Sequence, residues 1–316
     1  MNILLIAGGW SSEREVSLAG ANIIRESLQS LGHSVRPHDP EDSLDGLLTA
    51  ARDMDFAFIN LHGSPGEDGL IQAMLERVGC PYQGAGPAAS CLALNKAASK
   101  GLFVRAGLET APWRLVNSMP PGDWRPDLPY PLFIKANTGG SSLHMERVRE
   151  PGELFPALER LFRLDSSYLV EGAVTGREIT CGVLGVLENG RERAMALPPI
   201  LIMPSKSDVF DYRSKYEPGG AREICPAPIP EALTGKIQDM AVRAHRALGI
   251  SGYSRADFIV PDNDCPVILE VNTLPGMTAT SLLPQEAAAI GLSFAELLEL
   301  LIELGLARHE RVRAEG

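Results

Sequence analysis

No stretch of this 316-residue chain approaches the roughly 20 consecutive apolar residues of a membrane span. The opening run Met1-Asn2-Ile3-Leu4-Leu5-Ile6-Ala7 lacks a basic region before it and is strand-sized, so it does not read as a signal peptide. No CxxC occurs. The five cysteines (Cys80, Cys91, Cys181, Cys225 and Cys265) are odd in number and scattered, so neither a zinc site nor a disulfide framework is expected, and a reducing cytoplasm fits. An excess of positive charge is also missing. At a net charge of −11 the chain offers no basic face for nucleic acid. Lysine itself is scarce, with six against 23 arginines. A lysine retained in such a chain marks a place that wants a compact point charge.

What is present reads as alternating strands and helices. Residues Asn2–Ala7 form a short apolar run that suits a buried parallel strand. A helix is expected from about Ser17 to Leu31, with Gly32 at its C-terminal end. A second strand-helix unit covers Ser34 to Arg52, and a third strand runs from Phe56 to Leu61 into His62-Gly63. This alternation indicates an α/β class with a doubly wound parallel-sheet domain over residues 1–90. A second unit over 91–176 holds a helix near Cys91–Ala106, a strand at 131–135, a Gly/Ser loop, a helix near 153–162 and a strand at 168–171. A third unit over 177–316 holds further strands, a polar loop at about 204–228, a helix near 231–248, a hairpin at 253–271 and a helix near 294–306. The sequence contains no internal repeat and no low-complexity segment.

The hairpin carries the most chemical information. Strands Gly252–Val260 and Pro266–Asn272 flank a turn at Asp262-Asn263-Asp264. A turn centred between Asn263 and Asp264 sets Asp257 opposite Glu270 and Arg255 opposite Asn272, all on one face. Opposed carboxylates repel unless a cation lies between them. Oxygen ligands from Asp257, Glu270 and Asn272 suit Mg²⁺ or Mn²⁺ completed by water and phosphate. A solvated acidic strand face is the bland reading of the same residues. The Pro-Gly segment that follows, Leu274 to Thr278, can offer backbone N–H groups to an anion, with Ser281 nearby in sequence. The loop Gly139-Gly140-Ser141-Ser142 after Lys135 suits phosphate, although it is not a Walker A loop.

Taken together, these segments resemble the D-alanine–D-alanine ligase family of the ATP-grasp superfamily. The resemblance runs through Ser12-Glu13-Arg14-Glu15-Val16-Ser17-Leu18, His62-Gly63 with Gly66-Glu67-Asp68-Gly69, and Gly140-Ser141-Ser142. It continues through Gly176-Arg177-Glu178-Ile179-Thr180, Asp211-Tyr212 with Lys215-Tyr216, Gly252 to Phe258, and Leu269 to Thr278. It implies an N-terminal α/β substrate domain followed by a two-lobed, α+β ATP-grasp part. The implied activity is ATP-dependent joining of two D-alanine molecules through an acyl phosphate, with release of ADP and phosphate, for peptidoglycan precursor synthesis. A cytoplasmic homodimer is implied as well. Asp257, Glu270 and Asn272 look like ligands of two Mg²⁺ (or Mn²⁺) ions. Lys96, Lys135 and Ser142 look like phosphate contacts. Glu171, Val174 and Glu178 fall where the family holds adenine and ribose. Glu15 looks like the group for the first substrate's ammonium, with His62 close to it. Arg255 and the Gly276 N–H look like the oxyanion site, and Ser281 and Leu282 like the second carboxylate's site. Tyr216, Ser141 and Glu15 match a hydrogen-bonded triad closing a loop on which Lys215 sits.

The chain departs from the family pattern at Ala136 (usually Pro), at Leu143-His144 (usually Val-Gly) and at Phe210 (usually Tyr). A bulky histidine in a glycine-rich loop alters its path or flexibility. Two alternatives therefore stand beside the main reading. One is a ligase with D-serine or D-lactate as its second substrate, and the other is a catalytically impaired nucleotide-binding paralogue.

Overall fold

The computed structural model describes residues 1–139, 145–204, 220–278 and 280–315. Its first sheet is parallel, in the order β2-β1-β3, from β1 (Asn2–Ala7), β2 (Ser34–His38) and β3 (Phe56–Asn60). The central strand β1 and the strand β3 are buried, which is why both read as continuous apolar runs. Helices α1 (Arg14–Ser30), α2 (Leu44–Arg52) and α3 (Leu70–Val78) accompany them. Helix α1 buries Ser17, Gly20, Ile24 and Leu28, a stripe at helical spacing. Ser43 caps α2, its hydroxyl accepting from the Gly46 N–H at 2.8 Å.

The expected helix over 91–106 is two helices. They are α4 (Pro87–Leu94) and α5 (Lys96–Arg105), parted at Asn95. Asn95 is extended, at φ −79 and ψ 100, and its side chain caps α5 by accepting from the Ala98 N–H at 3.0 Å. Asparagine at the junction therefore ends one helix and starts the next. This break puts Lys96 on the first position of α5 rather than mid-helix.

The second sheet is antiparallel in the order β4-β7-β5-β6, from β4 (Trp113–Val116), β5 (Leu132–Ala136), β6 (Glu146–Val148) and β7 (Tyr168–Gly172). Helix α6 (Pro151–Leu161) packs over it through Leu154, Ala157, Leu158 and Leu161. The sequence reading misses β4 and β6. They are only four and three residues long, too short to show an alternating pattern, and two of the three residues of β6 are charged.

The third sheet has β8 (Arg177–Glu188), β9 (Arg191–Ala196), β10 (Ile200–Pro204), β11 (Ala221–Ile224), β12 (Tyr253–Val260) and β13 (Val267–Asn272). Its order is β11-β10-β8-β12-β13, with β9 also paired to β8. Helix α7 (Glu231–Ala247) covers it through Leu233, Ile237, Met240, Ala241 and Ala244. Two helices close the chain, α8 (Leu282–Ala289) and α9 (Phe294–Glu315).

Helix α9 outruns the expected end near residue 306. Gly305 does not stop it, because the alanine, glutamate and arginine that follow are good helix formers and no proline intervenes. Its apolar face, with Leu297, Leu298, Leu301 and Ile302, shares one buried core with β1, β3 and Leu28 of α1. A Cβ added at Gly305 would lie 2.5 Å from the Tyr82 carbonyl oxygen and 2.8 Å from the Phe56 ring. Gly305→Ala is therefore expected to destabilise the fold by about 1–3 kcal/mol, although alanine is the better helix former. Urea unfolding measures this, and an unchanged midpoint would mean that the helix is not seated there. Among the described residues no helix is long and apolar enough to cross a membrane.

Candidate active site

The β12–β13 ladder pairs Arg255 with Asn272 and Asp257 with Glu270. The turn, however, is not centred as the sequence reading supposes. Beyond Asp257 the register shifts, so that Phe258 pairs with Ile268. A bulge at that step absorbs one extra residue and leaves the functional pairs in register.

Three of the four paired residues border a cavity of about 340 Å³, and Asp257 lies behind them, outside its lining. Arg255, Glu270 and Asn272 line it from the hairpin, and Gly276, Ser281 and Leu282 from the segment beyond. Glu13, Asn60, His62 and Glu67 come from around the first sheet, and Lys96 and Gly139 from the start of α5 and the segment after β5. The three sheets thus converge on one hollow.

Charge is balanced locally. Arg255 grips Asp257 with two hydrogen bonds, Nε to Oδ1 at 2.9 Å and NH2 to Oδ2 at 2.8 Å. The Thr180 hydroxyl, on the adjacent strand β8, also donates to Asp257 Oδ1 at 2.6 Å. Burial works against the Arg255 charge, but Asp257 outweighs it and holds the guanidinium protonated above its ordinary range. Lys96 Nζ lies 3.3 Å from Glu270 and donates to the Gly139 carbonyl at 2.6 Å. Its backbone N–H donates to the Asn137 carbonyl at 2.9 Å, which ties the start of α5 to the end of β5.

At the other wall, burial depresses the His62 pKa and outweighs the attraction of Glu13, while Arg255 lowers it further. His62 is therefore neutral at pH 7. Glu67 accepts from the Gly63 N–H at 2.9 Å. Desolvation raises its pKa to about 7, with Glu13 and Glu270 adding to the rise.

The nucleotide-binding expectations fall on a second cluster. Glu171 on β7 is 3 % exposed and pairs with Lys135 on β5 through one oxygen and with Lys100 on α5, at 3.1 Å, through the other. Burial raises the Glu171 pKa, but the two lysines pull it below its ordinary value. Glu178, on β8, is close enough to help keep Lys135 charged. Val174 is half-buried between β7 and β8. Ala136, where the family usually has proline, is buried and pairs with Tyr168.

One expected residue is placed elsewhere. Glu15 is exposed on α1 and does not line the cavity. The acid at the cavity is Glu13, only 7 % exposed. The helix period explains this, since the buried stripe 17, 20, 24 and 28 extends back to 13 and not to 15. That signal was available in the sequence. Glu67 and Thr180 lie within the family-like segments, which give them no role of their own, and nothing local in the sequence marks Lys100 as a buried lysine. Ser141, Ser142, Leu143, His144, Phe210, Lys215 and Tyr216 lie outside the described residues.

The donors at the hairpin are two carboxylates and an amide oxygen. Among the described residues no group of three or more His, Cys, Asp or Glu is placed to hold a metal. Oxygen donors of this kind suit a hard cation that keeps water and phosphate ligands.

Known proteins place this arrangement. The family described as D-ala D-ala ligase C-terminus matches residues 102–303. A D-alanine--D-alanine ligase of Nitratidesulfovibrio vulgaris (strain DP4) is 60% identical over 306 residues, covering 97% of this chain and 98% of its own. The crystal structure of D-alanine--D-alanine ligase from Bacillus anthracis superposes with a TM-score of 0.86 at 35% identity, covering 100% of both chains. A crystal structure of D-alanine--D-alanine ligase from Bacillus anthracis complexed with ATP gives a TM-score of 0.85 at 33% identity, again covering 100% of both. With the family model, 60% identity over nearly the full length and the ATP-grasp fold in agreement, this chain belongs to the D-alanine–D-alanine ligase family.

Proposed function

We propose that this protein joins two D-alanine molecules to D-alanyl-D-alanine at the expense of ATP, releasing ADP and phosphate. The observation that carries this reading is the hairpin face. Arg255, Glu270 and Asn272 open into the same cavity as Glu13 and His62 on one side and Gly276 and Ser281 on the other. A phosphate-handling group and two amino-acid ends therefore fit one hollow.

Asp257, Glu270 and Asn272 would hold Mg²⁺ or Mn²⁺, which neutralises phosphate charge during phosphoryl transfer. Lys135 contacts phosphate, with Lys96 at the head of the glycine loop, while Glu171, Val174 and Glu178 border the adenine and ribose. Ser142 and Lys215 keep the phosphate roles that the family gives them. Glu13, not Glu15, binds the first D-alanine's ammonium beside neutral His62, and it replaces Glu15 in the triad with Ser141 and Tyr216. A carboxylate is a poor electrophile, so its conversion to an acyl phosphate precedes attack by the second amine. Arg255 and the Gly276 N–H stabilise the oxyanion of that attack, and Asp257 keeps Arg255 oriented. Ser281, with Leu282, holds the second carboxylate at the start of α8. The product serves peptidoglycan precursor synthesis in the cytoplasm, and the enzyme works as a homodimer.

The test is phosphate release from ATP and Mg²⁺ with D-alanine, L-alanine, or D-alanine plus D-serine or D-lactate, followed by mass analysis. D-alanine-dependent release with a D-alanyl-D-alanine mass is expected. A mixed product preferred over the dipeptide would assign a different acceptor. No release from folded protein would show that the departures at Ala136, Leu143 and His144 have cost the activity.

A further inference from the structure

Glu171 is almost fully buried and has two cations, not one. Lys135 is one-fifth exposed at its side chain, whereas Lys100 is 1 % exposed. Lys100 Nζ also donates to the Thr110 hydroxyl at 2.8 Å, and that hydroxyl donates to the Ile268 carbonyl at 2.7 Å. Ile268 lies on β13, two residues before Glu270. Lys100 is therefore anchored at both ends, on the carboxylate and on the strand that carries the acidic face. Burial lowers its pKa even so, and Glu171 only partly offsets this. A buried ammonium is costly unless paired, so its retention in a lysine-poor chain asks for a reason.

We propose that Lys100 is a positioning residue that keeps Glu171 neutralised, so that Lys135 is free to leave it for a nucleotide phosphate. This rests on the reading of Lys135 as a phosphate contact. The pairing gives the argument. Glu171 is held by two lysines at once, and Lys135 is the one on the more exposed side. When a phosphate draws Lys135 away, Glu171 remains paired with Lys100. Without Lys100, the same event would strand a buried carboxylate, and Glu171 would hold Lys135 back. Lys100 needs no contact with the nucleotide to do this.

The test is calorimetric titration of ADP with Mg²⁺ into the wild type, Lys135→Met, Lys100→Met, Glu171→Gln and the double variant Lys100→Met/Glu171→Gln. Lys135→Met is expected to weaken ADP binding about tenfold, as does Lys100→Met, while the KM for D-alanine stays within about twofold. Glu171 itself borders the adenine, so the double variant is read against Glu171→Gln and not against the wild type. With no carboxylate left to neutralise, adding Lys100→Met to Glu171→Gln is expected to change ADP affinity by less than about threefold. A merely structural role for Lys100 would cost about tenfold in both backgrounds. Weak binding by Lys135→Met with unchanged binding by Lys100→Met overturns the proposal and leaves the Lys135 reading intact. Unchanged binding by Lys135→Met removes that reading itself. Where Lys100→Met does not fold, the double variant and Glu171→Gln decide alone. Equal affinities support the proposal, and a further loss of about tenfold shows that Lys100 acts other than through Glu171.

Discussion

Glu270→Gln is expected to lower kcat roughly a thousandfold, since several kcal/mol of charge neutralisation is lost at about 1.4 kcal/mol per tenfold. The fold should survive. Glu270 is about one-third exposed at its side chain, and its pair with Lys96 spans 3.3 Å. An ion pair this open contributes at most about 1 kcal/mol, a shift of only a few degrees in the unfolding midpoint. Glutamine keeps the shape and one oxygen, so the loss is of charge and not of packing. A coupled ADP-release assay beside a thermal melt followed by circular dichroism separates the two effects. Turnover at the wild-type rate would remove Glu270 from the metal ligands, and an unfolded variant would assign it to the core instead.

The second large effect concerns stability. Glu286 on α8 is fully buried, and its Oε1 accepts from the Gly182 N–H at 2.8 Å. Its Oε2 is buried with no hydrogen-bond partner. Gly182 pairs with Arg255 across the ladder, and a Cβ there would collide with Glu286 Oε2. Desolvation raises the Glu286 pKa to about 8, although the Gly182 N–H and Arg255 both favour the anion. The sign follows directly. Below pH 4.5 the carboxyl is protonated in both folded and unfolded chains. From 4.5 to about 8 the unfolded chain releases the proton and the folded one retains it, so stability falls as pH rises. By pH 7 this amounts to about 3 kcal/mol. In Glu286→Gln that dependence disappears. Urea unfolding of both proteins at pH 5 and pH 8 is expected to show the variant gaining about 3 kcal/mol relative to the wild type at the higher pH. Taking the difference cancels the parallel contribution of Glu67. Stability curves that stay parallel across this range would mean that Glu286 titrates as an ordinary carboxyl.

Much of this molecule is written locally. The apolar runs of β1 and β3, the stripe of α1 and the paired strands of the hairpin each follow from a period of 2 or 3.6. The sequence reading reaches the pairing of Asp257 with Glu270 through a turn centred half a residue too late, and only the bulge, which it does not contain, sets the two opposite each other. Short strands such as β4 and β6 are silent because three or four residues cannot show a period. The two-helix break was legible in principle, since asparagine is a good N-cap, but Asn95 looks no different from a surface residue until Lys96 is seen to need its place.

The sequence by itself determined the class of fold, the hairpin's acidic face and the family, because each depends on residues close in the chain or on motif order. Tertiary structure alone decided which charges meet. Lys100, Glu171 and Lys135 come from three elements and become one network only when α5, β7 and β5 pack together. Glu286 becomes a titrating liability only because α8 presses it against β8. The docking of α9 onto the first sheet joins residues some 250 positions apart. Periodicity records whether a side chain faces inward. Its partner, and so its charge state, depends on contacts between segments distant in the chain, which local spacing does not encode.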